Sequence, residues 1–144
     1  MEEQAAEHMI IRATPEQCFA ILTDFDRYPE WSADIKAVRV LERDDQGRGT
    51  RVAFRAAAFG RSTALTLAYD YSKAPKELSW VQVDGDLTRL YDGAYEFEVA
   101  GEETQVTYRL TVALKVPLPG FVKRRAEGRI VGGALRELKD RAEG

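Results

Sequence analysis

From Val38 to Val116 apolar and polar residues alternate along most of the chain, and from Phe121 onward the apolar spacing changes to about 3.6. A period of two sends successive side chains to opposite faces, so such runs predict strands with one buried and one wet face. The runs cover residues 38–43, 51–58, 62–71, 78–83, 87–99 and 106–116. Turn-forming clusters separate them: Asp44-Asp45-Gln46-Gly47, Phe59-Gly60-Arg61, Pro75-Lys76, Asp84-Gly85-Asp86 and Gly101-Glu102-Glu103. The strictest is the last, with Val106, Tyr108, Leu110, Val112, Leu114 and Val116 in one phase. Ahead of these, residues 7–13 predict a first strand. Thr14-Pro15-Glu16-Gln17 then opens a helix, with Thr as N-cap, Pro at the first helical position and Gln three residues after the cap. A short second helix follows in residues 24–31, with Asp24 as its candidate cap and Pro29 limiting its length.

After Pro117-Leu118-Pro119-Gly120, the residues Phe121, Val122, Ala126, Ile130, Val131, Ala134, Leu135 and Leu138 form the stripe of an amphipathic helix. A helix over 118–141, about 23 residues and roughly 35 Å long, matches the length of ten-residue strands. The element order is β-α-α-β6-α, an α+β fold. A strongly curved antiparallel sheet grips one long C-terminal helix, which encloses a packed core or a ligand cavity.

Composition narrows the function classes. The 144 residues fit one domain, 1–144, with room for one sizeable core. A net charge of −3 argues against general binding of nucleic acid, which calls for a basic face. No run approaches the roughly 20 apolar residues of a membrane span. The acidic start Met1-Glu2-Glu3-Gln4 lacks the apolar segment of a signal peptide. Cys18 is the lone cysteine, which excludes an intrachain disulfide and fits a reducing cytoplasm. His8 is the lone histidine, so no multi-histidine metal site is expected. There is no Gly-x-Ser-x-Gly elbow, phosphate loop or Cys-x-x-Cys, and no cofactor is implied.

The candidate chemistry lies in the inward phase. Alternation aims Phe54, Tyr69, Trp80, Tyr91, Tyr95, Phe97 and Tyr108 at the concave face. Tyrosines suit a pocket because the ring is apolar while the hydroxyl places one hydrogen bond. The same rings would equally fill a solid core. Tyr28, Pro29 and Trp31 close one end, with Trp31 at the pocket mouth or as a plug. Arg89 shares a phase with Leu87 and Tyr91, where it would anchor an anionic group of a ligand or else reach water from the strand end. Gly128 and Gly132 lie four apart on one helix face. They would leave room for a ligand or let the helix approach a strand closely, and both readings turn that face inward. Phe121 is a further candidate contact at the helix start. Beside it, Lys123, Arg124 and Arg125, with Arg129, form a basic cluster suited to anionic lipid headgroups or an acyl carrier protein, or simply a solvated face.

The element order, Ala13-Thr14-Pro15 before the first helix, Asp24-Phe25 with Tyr28-Pro29-Glu30-Trp31, and Gly93-x-Tyr95-x-Phe97 resemble the START-like helix-grip superfamily. Within it, the chain is similar to the bacterial polyketide cyclase/dehydrase and lipid-transport branch. Val116-Pro117-Leu118-Pro119-Gly120 followed by basic residues resembles actinobacterial members. The resemblance implies binding of a lipid, sterol, quinone or polyketide, and in some members cyclisation or dehydration. In aromatase/cyclase members an inward arginine on the middle strands is tied to that chemistry, whereas residues 62–71 have no arginine in their core-facing phase. Three readings follow. The first is a binder, and possibly a transporter, of a small hydrophobic ligand. The second is a cyclase/dehydrase-like enzyme with Arg89 holding an enolate and Tyr91 or Tyr95 as general acid. The third is a partner-binding module using the basic helix start.

Overall fold

The computed structural model describes residues 4–58 and 60–144. Its elements are β1 (Gln4–Ile11), α1 (Pro15–Thr23), a 3₁₀ turn (Phe25–Arg27), α2 (Tyr28–Trp31), β2 (Ile35–Arg43), β3 (Gly49–Ala58), β4 (Arg61–Asp70), β5 (Glu77–Gly85), β6 (Thr88–Ala100), β7 (Glu103–Leu114) and α3 (Gly120–Glu143). The strands form one antiparallel sheet in the order β1-β7-β6-β5-β4-β3-β2. From β2 to β7 each strand pairs with the next in the chain. β1 instead reaches across to β7, in register from Gln4↔Thr111 to Ile11↔Thr104. Three helices accompany the sheet, and the helix-grip architecture is as the patterning predicts.

Alternation does what the sequence asks of it. Val52, Leu65, Leu67, Leu78, Val106, Leu110 and Val112 are buried on the concave face, where they meet Val131, Leu135 and Leu138 of α3 in one core. Irregular pairing in β2, between Thr66 and Leu67 of β4, and between Thr88 and Leu90 of β6 bends the sheet around the helix. The N-terminus of α1 is a capping box. Thr14 Oγ1 accepts from the Gln17 N–H at 3.1 Å, and Gln17 Oε1 accepts from the Thr14 N–H at 2.8 Å.

Several boundaries differ from the sequence reading. β1 runs over Gln4–Ile11 rather than 7–13. Ala13 lies beyond the strand, and its carbonyl accepts the buried Thr104 hydroxyl at 2.7 Å. β2 begins at Ile35. β7 stops at Leu114, because the Lys115 N–H turns to the Leu87 carbonyl at 2.8 Å, leaving Val116 45% exposed. α3 starts at Gly120, with Pro119 as its N-cap. Asp24 caps nothing with its side chain, which pairs with Arg27 at 3.2 Å. Phe59 of the β3–β4 turn and the acidic residues 1–3 lie outside the described residues.

The long helix lies along the edge strand. Gly132 faces β1, and a Cβ there would come within 2.7 Å of Glu7 Oε2, the movable end of that side chain. At the far end the Lys139 ammonium donates to the Ile10 carbonyl at 3.0 Å, and the Arg12 N–H donates to Glu143 Oε2 at 2.8 Å. Among the described residues no helix is long and apolar enough to cross a membrane.

Candidate functional site

A recess of about 110 Å³ lies between the concave face, α3 and the segment joining α2 to β2. Its floor comes from alternate positions of neighbouring strands: Phe54 and Ala57 of β3, Leu65, Leu67 and Tyr69 of β4, Trp80 of β5, Tyr95 of β6 and Tyr108 of β7. Tyr28, Trp31, Ser32, Asp34 and Ile35 form one wall, and Ile130, Ala134 and Glu137 of α3 the other. Tyr69 is registered opposite Trp80, and Tyr95 opposite Tyr108, so the rings stand side by side across the sheet. Their centroids are 5.8 Å apart for Tyr69–Trp80, 5.6 Å for Trp80–Tyr95 and 4.4 Å for Tyr95–Tyr108. Each such pair contributes about 0.5–1.5 kcal/mol beyond its area burial. Gly93 makes the indole's position possible, since a Cβ there would lie 2.7 Å from Trp80 Cζ2 and 2.5 Å from the Arg109 carbonyl oxygen.

The polar groups of the recess are few. The Tyr28 hydroxyl donates to the Leu22 carbonyl at 2.5 Å, which fixes α2 against α1. Burial pushes the phenols of Tyr28, Tyr69, Tyr95 and Tyr108 well above their ordinary value. It pushes Tyr91 up to about 12. All five are therefore neutral hydrogen-bonding groups at physiological pH, far from the poise of a general acid or base. Trp80, 5% exposed, carries the one buried side-chain polar atom without a hydrogen-bond partner among the described residues, its indole Nε1. The charged lining is Asp34 and Glu137. Glu137 Oε2 accepts from the Ala33 N–H at 3.0 Å, and Arg141 pairs with Glu30 at 2.9 Å. These two links clasp α3 to the α2–β2 segment over the recess. A larger depression of about 590 Å³ lies among Lys73, Glu77, Glu96, Glu98 and Arg109. It is an ion-paired surface, with Arg109 on Glu96 at 2.6 Å, rather than an enclosure between sheet and helix.

Residues 11–139 match the model of the family described as polyketide cyclase / dehydrase and lipid transport. The chain belongs to this family. Membership supports ligand binding in general. Among solved structures it is similar to a START superfamily protein from Mycobacterium smegmatis, 22% identical with a TM-score of 0.91 over 99% of this chain and 98% of that one. It is also similar to an aromatase/cyclase from a Streptomyces species, at 13% identity and a TM-score of 0.85 over 99% and 94%. A STAR-related lipid transfer protein from Xanthomonas axonopodis is 13% identical, with a TM-score of 0.72 over 98% and 86%. At these identities the likeness is one of fold. No curated protein is close enough in sequence to match.

In this polyketide cyclase/dehydrase and lipid-transport family member, the recess brings together Trp31, Phe54, Tyr69, Trp80, Tyr95 and Tyr108 from the sequence-based candidates. The others lie elsewhere. Tyr91 is adjacent, its hydroxyl interacting with that of Tyr108 rather than lining the space. Phe97 is buried further along β6 against Phe19, with ring centroids 6.3 Å apart. Arg89 is exposed and donates to the Leu114 carbonyl at 3.2 Å. The pairing shift between Thr88 and Leu90 moves it out of the inward phase, because one extra residue in a strand flips the faces. Phe121 is 62% exposed. Gly128 faces solvent with nothing near its missing Cβ, and Gly132 faces Glu7 of β1, so the glycine face turns away from the recess. Lys123 pairs with Glu127 at 3.0 Å, while Arg124, Arg125 and Arg129 are exposed.

Sequence reasoning placed Ile130 and Ala134 on the apolar stripe of the last helix without assigning them to the pocket, and it missed Asp34 and Glu137. Glu137 follows Ala134 by three, so its place on that face was there to be read. Asp34, in the connection before β2, offers no comparable signal.

Proposed function

We propose that this protein binds a small hydrophobic ligand, of the lipid, quinone or polyketide kind, between the sheet and α3. The observation that carries the reading is the recess lined by aromatic and aliphatic side chains. Removing apolar ligand surface from water supplies most of the affinity, at about 25 cal/mol per Å². The recess of about 110 Å³ is smaller than the roughly 300–1,000 Å³ of pockets that enclose drug-sized ligands. With the Glu137–Ala33 and Arg141–Glu30 links closed it admits one end of such a ligand, and full entry requires them to part. Native mass spectrometry of protein purified without detergent, followed by organic extraction, tests the proposal. The expected result is a stoichiometric lipophile. A clean apo mass, with no thermal shift across a lipophile panel, would reject it.

Catalysis through Arg89, Tyr91 and Tyr95 has less support. Arg89 donates to the Leu114 carbonyl, and among the described residues no guanidinium lines the recess to hold an enolate.

A second surface supports contact with anionic lipid. Val116, Leu118, Phe121 and Val122 are exposed together where β7 gives way to α3, with Arg124, Arg125 and Arg129 exposed on the first turns of the helix. Apolar side chains flanked by arginines match a bilayer interface, where rings insert and cations meet phosphates. An acyl carrier protein would meet the charges but leave Phe121 in water. Co-sedimentation with phosphatidylglycerol-containing vesicles should fall at least about 30-fold on Arg124→Glu with Arg125→Glu, since losing two basic residues alone costs about 1 kcal/mol each. Uptake of the hydrophobic ligand should persist, and unchanged sedimentation would reject the surface.

A further inference from the structure

We infer that the ligand's polar end is a cationic nitrogen, a protonated amine or quaternary ammonium carried on an apolar body. The inference rests on the recess being the ligand site and narrows what that site accepts. Among the described residues no lysine, arginine or histidine lines the recess, and its charged side chains are two carboxylates, exposed Asp34 before β2 and half-buried Glu137 on α3. Two basic groups of the surrounding elements have partners outside the lining: the Lys36 ammonium donates to the Ala33 carbonyl at 2.8 Å, and Arg141 pairs with Glu30 at 2.9 Å.

Between the carboxylates the surface is aromatic. Tyr28 and Trp31 stand 4.9 Å apart, centroid to centroid, and Tyr28 and Phe54 5.8 Å apart. Ring faces carry negative partial charge and attract cations, most strongly when water is excluded. The field of the site has the same sign. Glu137 adds to raising the Tyr95 phenol, after burial and the neighbouring Tyr28 and Tyr91, and Asp34 adds to raising that of Tyr91, after burial and the opposing hydrogen bond with Tyr108. A carboxylate or phosphate entering here would shed part of its water and meet the like charges of half-buried Glu137 and exposed Asp34, which is costly. A neutral lipophile would gain only its apolar burial.

The test compares three amphiphiles of equal chain length below their micellar concentrations: dodecyltrimethylammonium, dodecanol and dodecanoate. Binding is followed by tryptophan fluorescence and calorimetry at neutral pH. The expected order is cation, then alcohol, then carboxylate, with the cation at least about tenfold tighter than the alcohol and saturating at one equivalent. The cation-to-alcohol ratio should fall towards one in the Asp34→Asn, Glu137→Gln double variant, where the amide at 137 still offers an acceptor to the Ala33 N–H. Equal or tighter binding of the alcohol or carboxylate by the parent protein overturns the inference, as does cation binding that never saturates at one equivalent. So does a preference that survives in the double variant. Alcohol binding without preference for the cation leaves the ligand-binding reading standing, whereas binding of none of the three removes both. Should the double variant not fold, the order in the parent protein decides.

Discussion

Leu135→Ala is expected to cost this protein about 2–5 kcal/mol of stability, a fall in melting temperature of roughly 8–20 °C. Leu135 is 1% exposed and belongs to the stripe, with Val131 and Leu138, by which α3 fills the concave face. Truncation removes the transfer free energy of the lost methyl groups and leaves a cavity that a stiff antiparallel sheet closes only partly. The spread reflects how far the aromatic neighbours relax into the gap. Thermal unfolding followed by circular dichroism reads the change. A melting temperature within about 2 °C of the parent would mean that α3 does not pack on the sheet through this face.

Gly93→Ala acts by the opposite mechanism and on the recess itself. The added methyl would lie 2.5 Å from the Arg109 carbonyl oxygen and 2.7 Å from Trp80 Cζ2. One obstacle is backbone in the neighbouring strand, held by the β6–β7 ladder, and the other is a large ring wedged among Tyr69, Tyr95 and Tyr108. Overpacking of this kind costs about 1–3 kcal/mol, or roughly 4–12 °C in melting temperature. The indole is the freer of the two, and its escape route is into the recess. Reduced lipophile binding should therefore accompany the lower melting temperature. A variant that melts like the parent would mean that the indole does not lie over Gly93.

The strands and the long helix were legible because their signals are periodic and geometric. Val106 to Leu114 alternate as a half-buried strand must, and Val131, Leu135 and Leu138 recur as a helix face must. The floor of the recess was legible for the same reason, since Phe54, Tyr69, Trp80, Tyr95 and Tyr108 hold the inward phase of their strands. Arg89 reaches water from the strand end, one of its two readings, but its inward phase was misjudged because the irregularity beside it carries no glycine or proline to announce it. The glycines of α3 were misplaced for a different reason. The helix has two packed sides, one over the sheet and one against β1, and composition alone does not say which side a small residue serves. Asp34 and Glu137 were missed because a carboxylate on a connection or helix reads as solvated surface until the chain folds it over a cavity.

The pairing of β1 with β7 has a consequence for how the protein is made. Gln4 is matched to Thr111, so it leaves the ribosome more than a hundred residues ahead of its partner in β7. At about 5–20 residues per second the wait is roughly 5–20 s. The meander from β2 to β6 can pair in order as it emerges, each strand finding its neighbour through a short turn. The steps that complete the domain, β7 and then α3, must fetch β1 and seat it at the growing edge. The interior therefore stays open to solvent, and to any lipophile nearby, until β7 and α3 appear. A ligand could be enclosed during synthesis instead of entering a finished container.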